Sequence, residues 1–408
     1  MKIWFTLALS LSATLALAHE VAPLHLDLEM ESVEHSQMLK TLKRKNADDP
    51  AIAKGLLWGQ RLAAWLASEN NRRAPSEQLR LTSPQTRRGV PIDKPSIYSE
   101  KTIAADLEKF TTELNPAIIA VMNGAAFPAT LPLPDDEFIV QARKIDKTYQ
   151  SSARFKGLIG YRFQYAQRKV LDVRPFYFFK TNKWTAERIN GIANLPADEA
   201  ANVRAQLAGM CLNGGQGLDV CKKKVANFEA AGKLGEMFTA AYAKSSQVWD
   251  GFFAIPSYGT RSDVVFNTAS VMTVPFNTPS IAKFGPYLKD NVEDEWKWTG
   301  WNLKVAYGTY PNGPELTFQT GVVPHVNGLG GNQIVMDSTQ PIEEYESQWT
   351  IRHEFGHVIG FPDCYHEFYD EELKAFVNYQ LDITDLMCSR AGNMTERLYK
   401  DLVRVYKK

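Results

Sequence analysis

One stretch near the carboxyl end constrains the fold of this chain more than any other. It reads His-Glu-Phe-Gly-His-Val-Ile-Gly-Phe-Pro-Asp and begins at His353. On a helix, His353 and His357 project from the same face one turn apart, so both imidazoles can reach one ion. Gly360 can end the helix in a left-handed conformation, and Pro362 prevents the helix from resuming. The chain must then turn, and Asp363 is the first side chain after the turn that can bind a metal.

The donor types in this stretch favour zinc as the bound ion. Zn²⁺ accepts two neutral imidazoles and one carboxylate while keeping a fourth position open for water. Glu354 directly follows the first histidine on an adjoining face of the helix, where it can take a proton from such a water without binding the metal itself. The pentapeptide HExxH also occurs on ordinary buried helices, and the glycine and aspartate that follow make it more specific. We therefore predict a site for one Zn²⁺ at this helix.

A methionine later in the chain extends the pattern. Met387 lies in the segment Asp-Leu-Met-Cys-Ser. Together, HExxHxxGxxD and this methionine resemble the metzincin clan of zinc endopeptidases. Most metzincins carry histidine where this chain has Asp363, and an aspartate within Gly-Phe-Pro-Asp-Cys-Tyr is similar to the snapalysin type of small secreted bacterial neutral proteases. The likeness covers residues 350–390, about a tenth of the 408-residue chain.

The resemblance implies a fold and a set of residue roles. His353, His357 and Asp363 would bind the zinc, and Glu354 would be the general base. Met387 would pack beneath the metal as the Met-turn residue. The implied fold class is α+β, a metzincin-like zinc peptidase domain with a twisted sheet, long helices, the zinc helix, the Met-turn and a C-terminal helix. The implied activity is hydrolysis of peptide bonds in protein or peptide substrates.

One position departs from the family pattern. Many metzincins carry a tyrosine two residues after the methionine, and this chain has Ser389 there. Attack on a peptide bond gives a tetrahedral oxyanion, which is stabilised by the metal and by a nearby hydrogen-bond donor. Tyr365 and Tyr379 are the candidates that the sequence offers for this contact.

The third ligand has competitors a few residues further along. Some zinc peptidases take their third ligand from a later helix, so a donor after Asp363 could replace it. Asp363 is favoured because the glycine turn delivers it beside the two histidines. The competing donors are His366, Glu367, Glu371 and Glu372.

A glycine-rich segment precedes the zinc helix. Residues 324–332 read Pro-His-Val-Asn-Gly-Leu-Gly-Gly-Asn. In metzincins the strand before that helix lies along the cleft as an edge and pairs with extended substrate. This pairing holds a peptide through hydrogen bonds to its backbone. Gly330 and Gly331 would let substrate approach closely, whereas the alternative interpretation is a glycine-rich surface turn. We expect His325 to be hydrogen-bonded rather than a ligand.

The chain has four cysteines, an even number that permits three pairings. Proximity along the chain favours Cys211 with Cys221 and Cys364 with Cys388. The second pair is informative because Cys364 follows the predicted third ligand and Cys388 follows Met387. A bridge there would fix the ligand against the turn below the metal, since bridged α-carbons lie within about 7 Å of each other.

The first residues of the chain predict export. Lys2 precedes an apolar run, and Ala16-Leu17-Ala18 supplies the small residues of a cleavage site, so residues 1–18 are typical of a signal peptide. The run is shorter than the about 20 apolar residues that span a bilayer, and we predict no membrane span. The mature protein would be periplasmic or extracellular. It has 45 basic residues (46 − 1, for Lys2) and 46 acidic ones, so no cationic field for nucleic acid is expected.

The mature length of 390 residues (408 − 18) favours two regions rather than one core. Residues 19–153 predict a helical N-terminal region that is a propeptide, a docking module or a lid, with His19, His25 and His35 as solvated surface residues. Residues 154–408 would form the metzincin-like catalytic domain. The periodicity of the apolar residues predicts helices over 49–70, from 99 to 114, and over 135–151, 200–227 (interrupted near 213–217), 230–253, about 341–358 and 395–406, and strands over 173–181, 263–276, 301–307, 315–323 and 333–337.

Two other functions fit the same residues. The first is a binding or envelope protein that keeps the zinc framework and has lost turnover, although the presence of every expected catalytic residue argues against it. The second is an amidase acting on cell-wall peptide, which the sequence does not distinguish from a protease. The sequence does not predict the oligomeric state.

Overall fold

The computed structural model describes residues 49–82, 95–340, 344–390 and 392–407. The predicted signal peptide, His19, His25 and His35 lie outside the described residues. The fold is mixed α and β, with 55% helix and 15% strand, and its N-terminal part is mainly helical. None of the described helices is long and apolar enough to cross a membrane.

Four helices in the described portion of the N-terminal part surround one apolar cluster. The first begins where the sequence predicts, because Asp49 caps it with its side chain and Pro50 occupies its first turn. Ser99 caps the second through a capping box with Thr102. The helices are α1 (Pro50–Asn70), α2 (Glu100–Glu113), α3 (Pro116–Met122) and α4 (Asp135–Leu158).

Helix α4 runs through the predicted boundary between residues 153 and 154. Phe155 and Ile159 are buried in the same apolar cluster as the side chains of α1. Two aromatic residues from far along the chain, Tyr369 and Phe376, are buried in this cluster as well. The N-terminal helices therefore pack directly against a hairpin that follows the predicted zinc helix.

The middle of the chain is helical, and the prediction of a strand over residues 173–181 is wrong. This segment is a helix with Pro175 in its first turn. Phe176 and Phe179 are buried and Tyr177 between them is exposed, which is the three-residue spacing of a helix rather than the alternation of a strand. The helices here are α5 (Arg162–Gln167), α6 (Arg174–Thr181), α7 (Ala186–Asn190), α8 (Ala197–Leu212), α9 (Leu218–Ala230) and α10 (Leu234–Phe253).

Two sheets precede the zinc helix and are joined end to end. The first has the order β2-β3-β5-β4 and the second the order β6-β8-β7. At their junction, Asn277 of β3 donates its N–H to the carbonyl of Pro314, just before β6. The pairs β3–β5 and β6–β8 are parallel, whereas β7 is antiparallel to β8. The elements are β2 (Val265–Thr268), β3 (Val271–Asn277), α11 (Phe284–Glu295), β4 (Lys297–Trp298), β5 (Trp301–Gly308), β6 (Glu315–Gln319), β7 (His325–Val326) and β8 (Gln333–Asp337).

The last part of the chain contains the zinc helix and a hairpin that the sequence pattern did not predict. The strands of the hairpin pair with each other, and β1 (Ser96–Tyr98) from the N-terminal part adds to it in the order β1-β10-β9. The zinc helix buries Ile351 and Phe355 in the largest apolar cluster, which also includes side chains of β3, β5 and α11. The elements are α12 (Tyr345–Val358), β9 (Tyr365–Asp370), β10 (Ala375–Gln380) and α13 (Glu396–Tyr406).

Candidate metal centre

The two histidines of α12 are oriented by backbone carbonyls. His353 Nδ1 lies 2.8 Å from the carbonyl oxygen of Leu386, and His357 Nδ1 lies 2.7 Å from that of Phe361. A carbonyl only accepts hydrogen bonds, so each Nδ1 carries the proton. The lone pair of each neutral ring is therefore on Nε2, which is the atom left to bind an ion.

Both Nε2 atoms face one carboxylate oxygen. Asp363 Oδ1 lies 3.1 Å from His353 Nε2 and 3.2 Å from His357 Nε2. The two rings are perpendicular, with centroids 4.9 Å apart. Acceptor atoms at these distances repel one another unless a positive charge, either a proton or a metal ion, lies among them. The three residues therefore form a donor set that suits a divalent cation, and two imidazoles with one carboxylate suit zinc.

The charges of His357 and Asp363 stabilise each other. Burial alone would lower the pKa of His357, but the Asp363 carboxylate outweighs it and raises that pKa to about 9. Burial would likewise raise the pKa of Asp363, but the two imidazoles hold it well below its ordinary value. A cation at this position competes with protons for the same atoms, so its affinity falls at low pH.

Gly360 brings Asp363 to the histidines, as the sequence predicts. Its φ is +98°, and a Cβ at this position would clash with the carbonyl oxygen of Gly259. The N–H of Gly360 donates to the carbonyl of His357, and the N–H of Phe361 donates to that of Gly356, both at 3.0 Å. These are the bonds with which a helix ends at a left-handed residue. The chain then reverses and delivers Asp363 beside the face of the helix that it has just left.

Glu354 lies beside the three donors and is buried, with 5% of its surface exposed. Its Oε2 atom is buried and has no hydrogen-bond partner among the described residues. A buried carboxylate oxygen without a partner costs free energy unless a water or a substrate group donates a hydrogen bond to it. This geometry suits a base that receives a proton from a water between it and the donor set.

Met387 packs directly under the zinc helix. A Cβ added at Gly356 would lie 2.9 Å from Met387 Cε, so the helix can approach this methionine only because residue 356 is glycine. The turn is fixed by Asp385, which accepts the N–H of Met387 at 2.9 Å and pairs with Arg397 at 2.7 Å. Since the carbonyl of Leu386 accepts from His353, this turn orients the first histidine.

Both predicted disulfides are confirmed. Cys211 and Cys221 join α8 to α9, and Cys364 is bridged to Cys388 with its α-carbons 4.3 Å apart. The N–H of Cys364 also donates to the carbonyl of Met387 at 3.1 Å. The segment after Asp363 is thus attached to the turn below the donors. Asp385 lies close to Cys364 and Cys388, but the bridge occupies both sulfurs, so this second cluster is not a metal site.

The two candidate tyrosines lie in different surroundings. Tyr365 is close to Asp363, and burial together with that carboxylate raises the pKa of its phenol well above the ordinary value. Tyr379 lies under the guanidinium of Arg174, 3.6 Å from the ring centroid. Tyr365 is therefore the one adjacent to the donor set, and Ser389 is buried.

The competing third ligands lie elsewhere. Glu367 is paired with Arg154. His366 is buried on the other face of β9, and neither of its ring nitrogens is hydrogen-bonded to a described residue. Glu371 and Glu372 are exposed at the hairpin turn. Among the described residues, the only groups of three metal-type side chains close together are the His353 set and the disulfide cluster.

The glycine loop before the zinc helix touches the end of that helix. The N–H of Gly330 donates to the carbonyl of His357 at 2.8 Å. Arg261, nine-tenths buried, donates to the carbonyls of Gly330 and Gly331, each at 3.1 Å. His325 begins the edge strand β7, is exposed, and lies 2.8 Å through Nδ1 from the Val323 carbonyl oxygen, as expected for a histidine that is not a ligand.

Sequence reasoning missed three residues that bind the segments around this centre. Asp385 had a signal, because it lies in the quoted Met-turn segment, but its ion pair with Arg397 has no sequence signature. Arg261 and Arg154 act over distances of 69 and 213 residues along the chain. No known protein family, curated protein or solved structure shows a significant match to this chain.

Proposed function

We propose that this protein is an exported zinc-dependent endopeptidase. The observation that carries the proposal is the convergence of His353 Nε2, His357 Nε2 and Asp363 Oδ1 beside the unpartnered buried oxygen of Glu354. Burying two imidazoles and two carboxylates together costs free energy unless protons or a cation offset their repulsion, and these donor types suit zinc. The two disulfides are compatible with an extracellular location.

The three donors would hold one Zn²⁺. When bound, zinc lowers the pKa of a water and polarises the carbonyl of the peptide bond to be cleaved. His353 and His357 contribute neutral nitrogens because their Nδ1 protons are held by carbonyls. Asp363 contributes the negative charge that offsets part of the charge of the ion. Met387 supports the helix from below without taking part.

Glu354 would act as the general base. Its free oxygen accepts the proton of the attacking water and then passes it to the leaving amine. Burial keeps this carboxylate away from bulk water, so its proton is transferred within the site. Tyr365, whose phenol is hydrogen-bonded to Asp363, would donate to the oxyanion when substrate is bound, in place of the tyrosine that many metzincins carry where this chain has Ser389.

Substrate would bind as an extended strand. β7 is the last strand of its sheet among the described residues, and its outer side is available for backbone hydrogen bonds. The loop with Gly330 and Gly331 follows β7 and is bonded to the end of the zinc helix, so a peptide added along β7 runs toward the donors. Arg261 keeps this loop in place.

The test is the substitution Glu354→Gln, which preserves shape and removes the base. We expect the variant to keep its zinc and its fold and to lose about 10²–10⁴-fold in the rate of casein hydrolysis. The matched control is Glu396→Gln, on the exposed side of α13, which should leave the rate unchanged. A chelator should abolish the activity of the parent chain. Full activity in Glu354→Gln would refute the proposed base, and an inert parent chain that binds zinc would favour the binding protein.

A further inference from the structure

The N-terminal helices and the strand after the third ligand share a buried seam. β1 pairs with β10, with Ser96 opposite Asn378 and Tyr98 opposite Phe376. The ring of Phe376 contacts that of Phe155 on α4 edge to face, with centroids 5.9 Å apart. The hairpin that begins two residues after Asp363 thus has one face in the core of the N-terminal region.

Arg154 of α4 contacts both β9 and β1 across this seam. Its Nε and Nη2 donate to the two carboxylate oxygens of Glu367 at 2.7 and 2.8 Å, which is a bidentate pair. Glu367 is 3% exposed. The guanidinium also lies 5.5 Å from the ring centroid of Tyr365 and 5.8 Å from that of Tyr98. One side chain of α4 therefore holds two alternate residues of β9 and one of β1.

We infer that Arg154 is a positioning residue for the metal centre, and that the helices over residues 50–158 remain in the working protein instead of being removed as a propeptide. This inference rests on the proposed function. Asp363 is held on one side by the Cys364 bridge to the Met-turn, and on the other side by the strand that Arg154 anchors. Tyr365, between the two anchors, lies against both Asp363 and Arg154.

The energetics of the pair favour a permanent contact. Removing the N-terminal helices would leave the Glu367 carboxylate without its cation and expose Tyr369 and Phe376, which the helical cluster now buries. Breaking a buried charge pair from one side is strongly destabilising. A segment that is removed on activation would have to leave these groups uncovered next to the third ligand.

The test measures the zinc dissociation constant, by competition with a chromogenic chelator, in full-length chains that are folded by circular dichroism. Arg154→Met and Glu367→Gln should each weaken zinc binding about 10-fold, the lower end of the effect of losing a direct partner of a metal ligand, because both reach Asp363 only through Tyr365 and β9. Arg154→Lys keeps the charge without the fork and should lie in between. The control Lys144→Met removes an exposed pair with Glu113 from the same helix and should bind zinc like the parent chain.

The outcomes separate the two claims. If Arg154→Met does not fold, Glu367→Gln decides, because it keeps the size and a hydrogen bond. Parental zinc affinity in the folded variants, or a fully active chain whose intact mass lacks residues 50–158, would overturn the inference and leave the proposed function standing. A parent chain that binds no zinc would instead refute the proposed function.

Discussion

The substitution Gly356→Ala has two effects of opposite sign on the free energy of unfolding, a gain in helix propensity and a loss from steric overlap. Alanine is the better helix former by about 1 kcal/mol in a helix interior. Against this, the new Cβ would lie 2.9 Å from Met387 Cε, nearer still to its Sδ, and 3.1 Å from Trp296 Cζ2. Both neighbours are fully buried, so neither can move into solvent.

The steric effect should win. Overpacking a filled core costs about 1–3 kcal/mol, and a contact this short belongs at the upper end of that range. After the gain in helix propensity is subtracted, we expect Gly356→Ala to lower the free energy of unfolding by about 2 kcal/mol. Zinc affinity should fall as well, because pushing Met387 away moves the Leu386 carbonyl that orients His353.

Gly157→Ala is the matched control for this substitution. Gly157 lies in α4, and a Cβ there would meet nothing within 4 Å. We expect a gain of up to about 1 kcal/mol, because only the propensity term applies. Urea denaturation with chelator present gives the unfolding free energies, and zinc competition gives the affinities. A Gly356→Ala variant as stable as Gly157→Ala, with parental zinc affinity, would refute the tight packing of the Met-turn against the zinc helix.

Two further predictions concern the disulfides and pH. Replacing Cys364 and Cys388 by serine opens a loop with a sequence separation of 24, and should lower the free energy of unfolding by about 3.5 kcal/mol and weaken zinc binding. Opening Cys211–Cys221, with a separation of 10, should lower it by about 2.8 kcal/mol and leave zinc binding intact. Equal zinc affinities in the two variants would contradict this. Burial, with help from nearby carboxylates, raises the pKa of Asp146 to about 7 from its ordinary 3.8. The native state therefore holds this proton more tightly than the unfolded chain does. The stability that this difference provides is full below pH 4 and is lost as the pH rises through 7. Asp146→Asn should therefore gain stability relative to the parent chain between pH 5 and pH 8, by about 2.5 kcal/mol. The same difference in urea midpoint between variant and parent at both pH values would count against it.

The sequence was sufficient for the parts of the fold whose determinants are local. Asp49 followed by Pro50 predicts the start of α1 because an N-cap and a proline in the first turn are both short-range signals. The same holds for Ser99 at α2, and for β8, whose predicted bounds are those observed. The end of α4 was set too early, since nothing at Ser151 stops a helix and the apolar spacing continues to Phe155.

Long-range pairing was not predictable in the same way. The error at residues 173–181 arose because aromatic density favours strands, while Phe176 and Phe179 are spaced for a helix that packs on Trp249 and Phe238. The pairing of β1 with β10 joins segments about 280 residues apart, such as Tyr98 and Phe376. No window of one sequence contains that information.

In the candidate site, too, the local features were predictable from the sequence and the long-range contacts were not. The two histidines, Glu354 and Asp363 follow from residue types at fixed spacing, and a glycine with φ of +98° explains how the last of them returns. The groups that orient them are backbone carbonyls and distant charges. The Leu386 carbonyl has no sequence signature at all, and Arg154 is recognisable only once α4 and β9 are adjacent.

Zinc content of the purified chain tests the central claim most directly. After equilibration with buffered free zinc, mass spectrometry of the metal should give one zinc per parent chain. Asp363→Ala should retain less than about a tenth of that, since it removes one of three protein ligands. Asp135→Ala, a surface carboxylate on α4, should bind zinc like the parent chain. A parent chain without zinc, or full occupancy in Asp363→Ala, would contradict the claim that His353, His357 and Asp363 hold one ion.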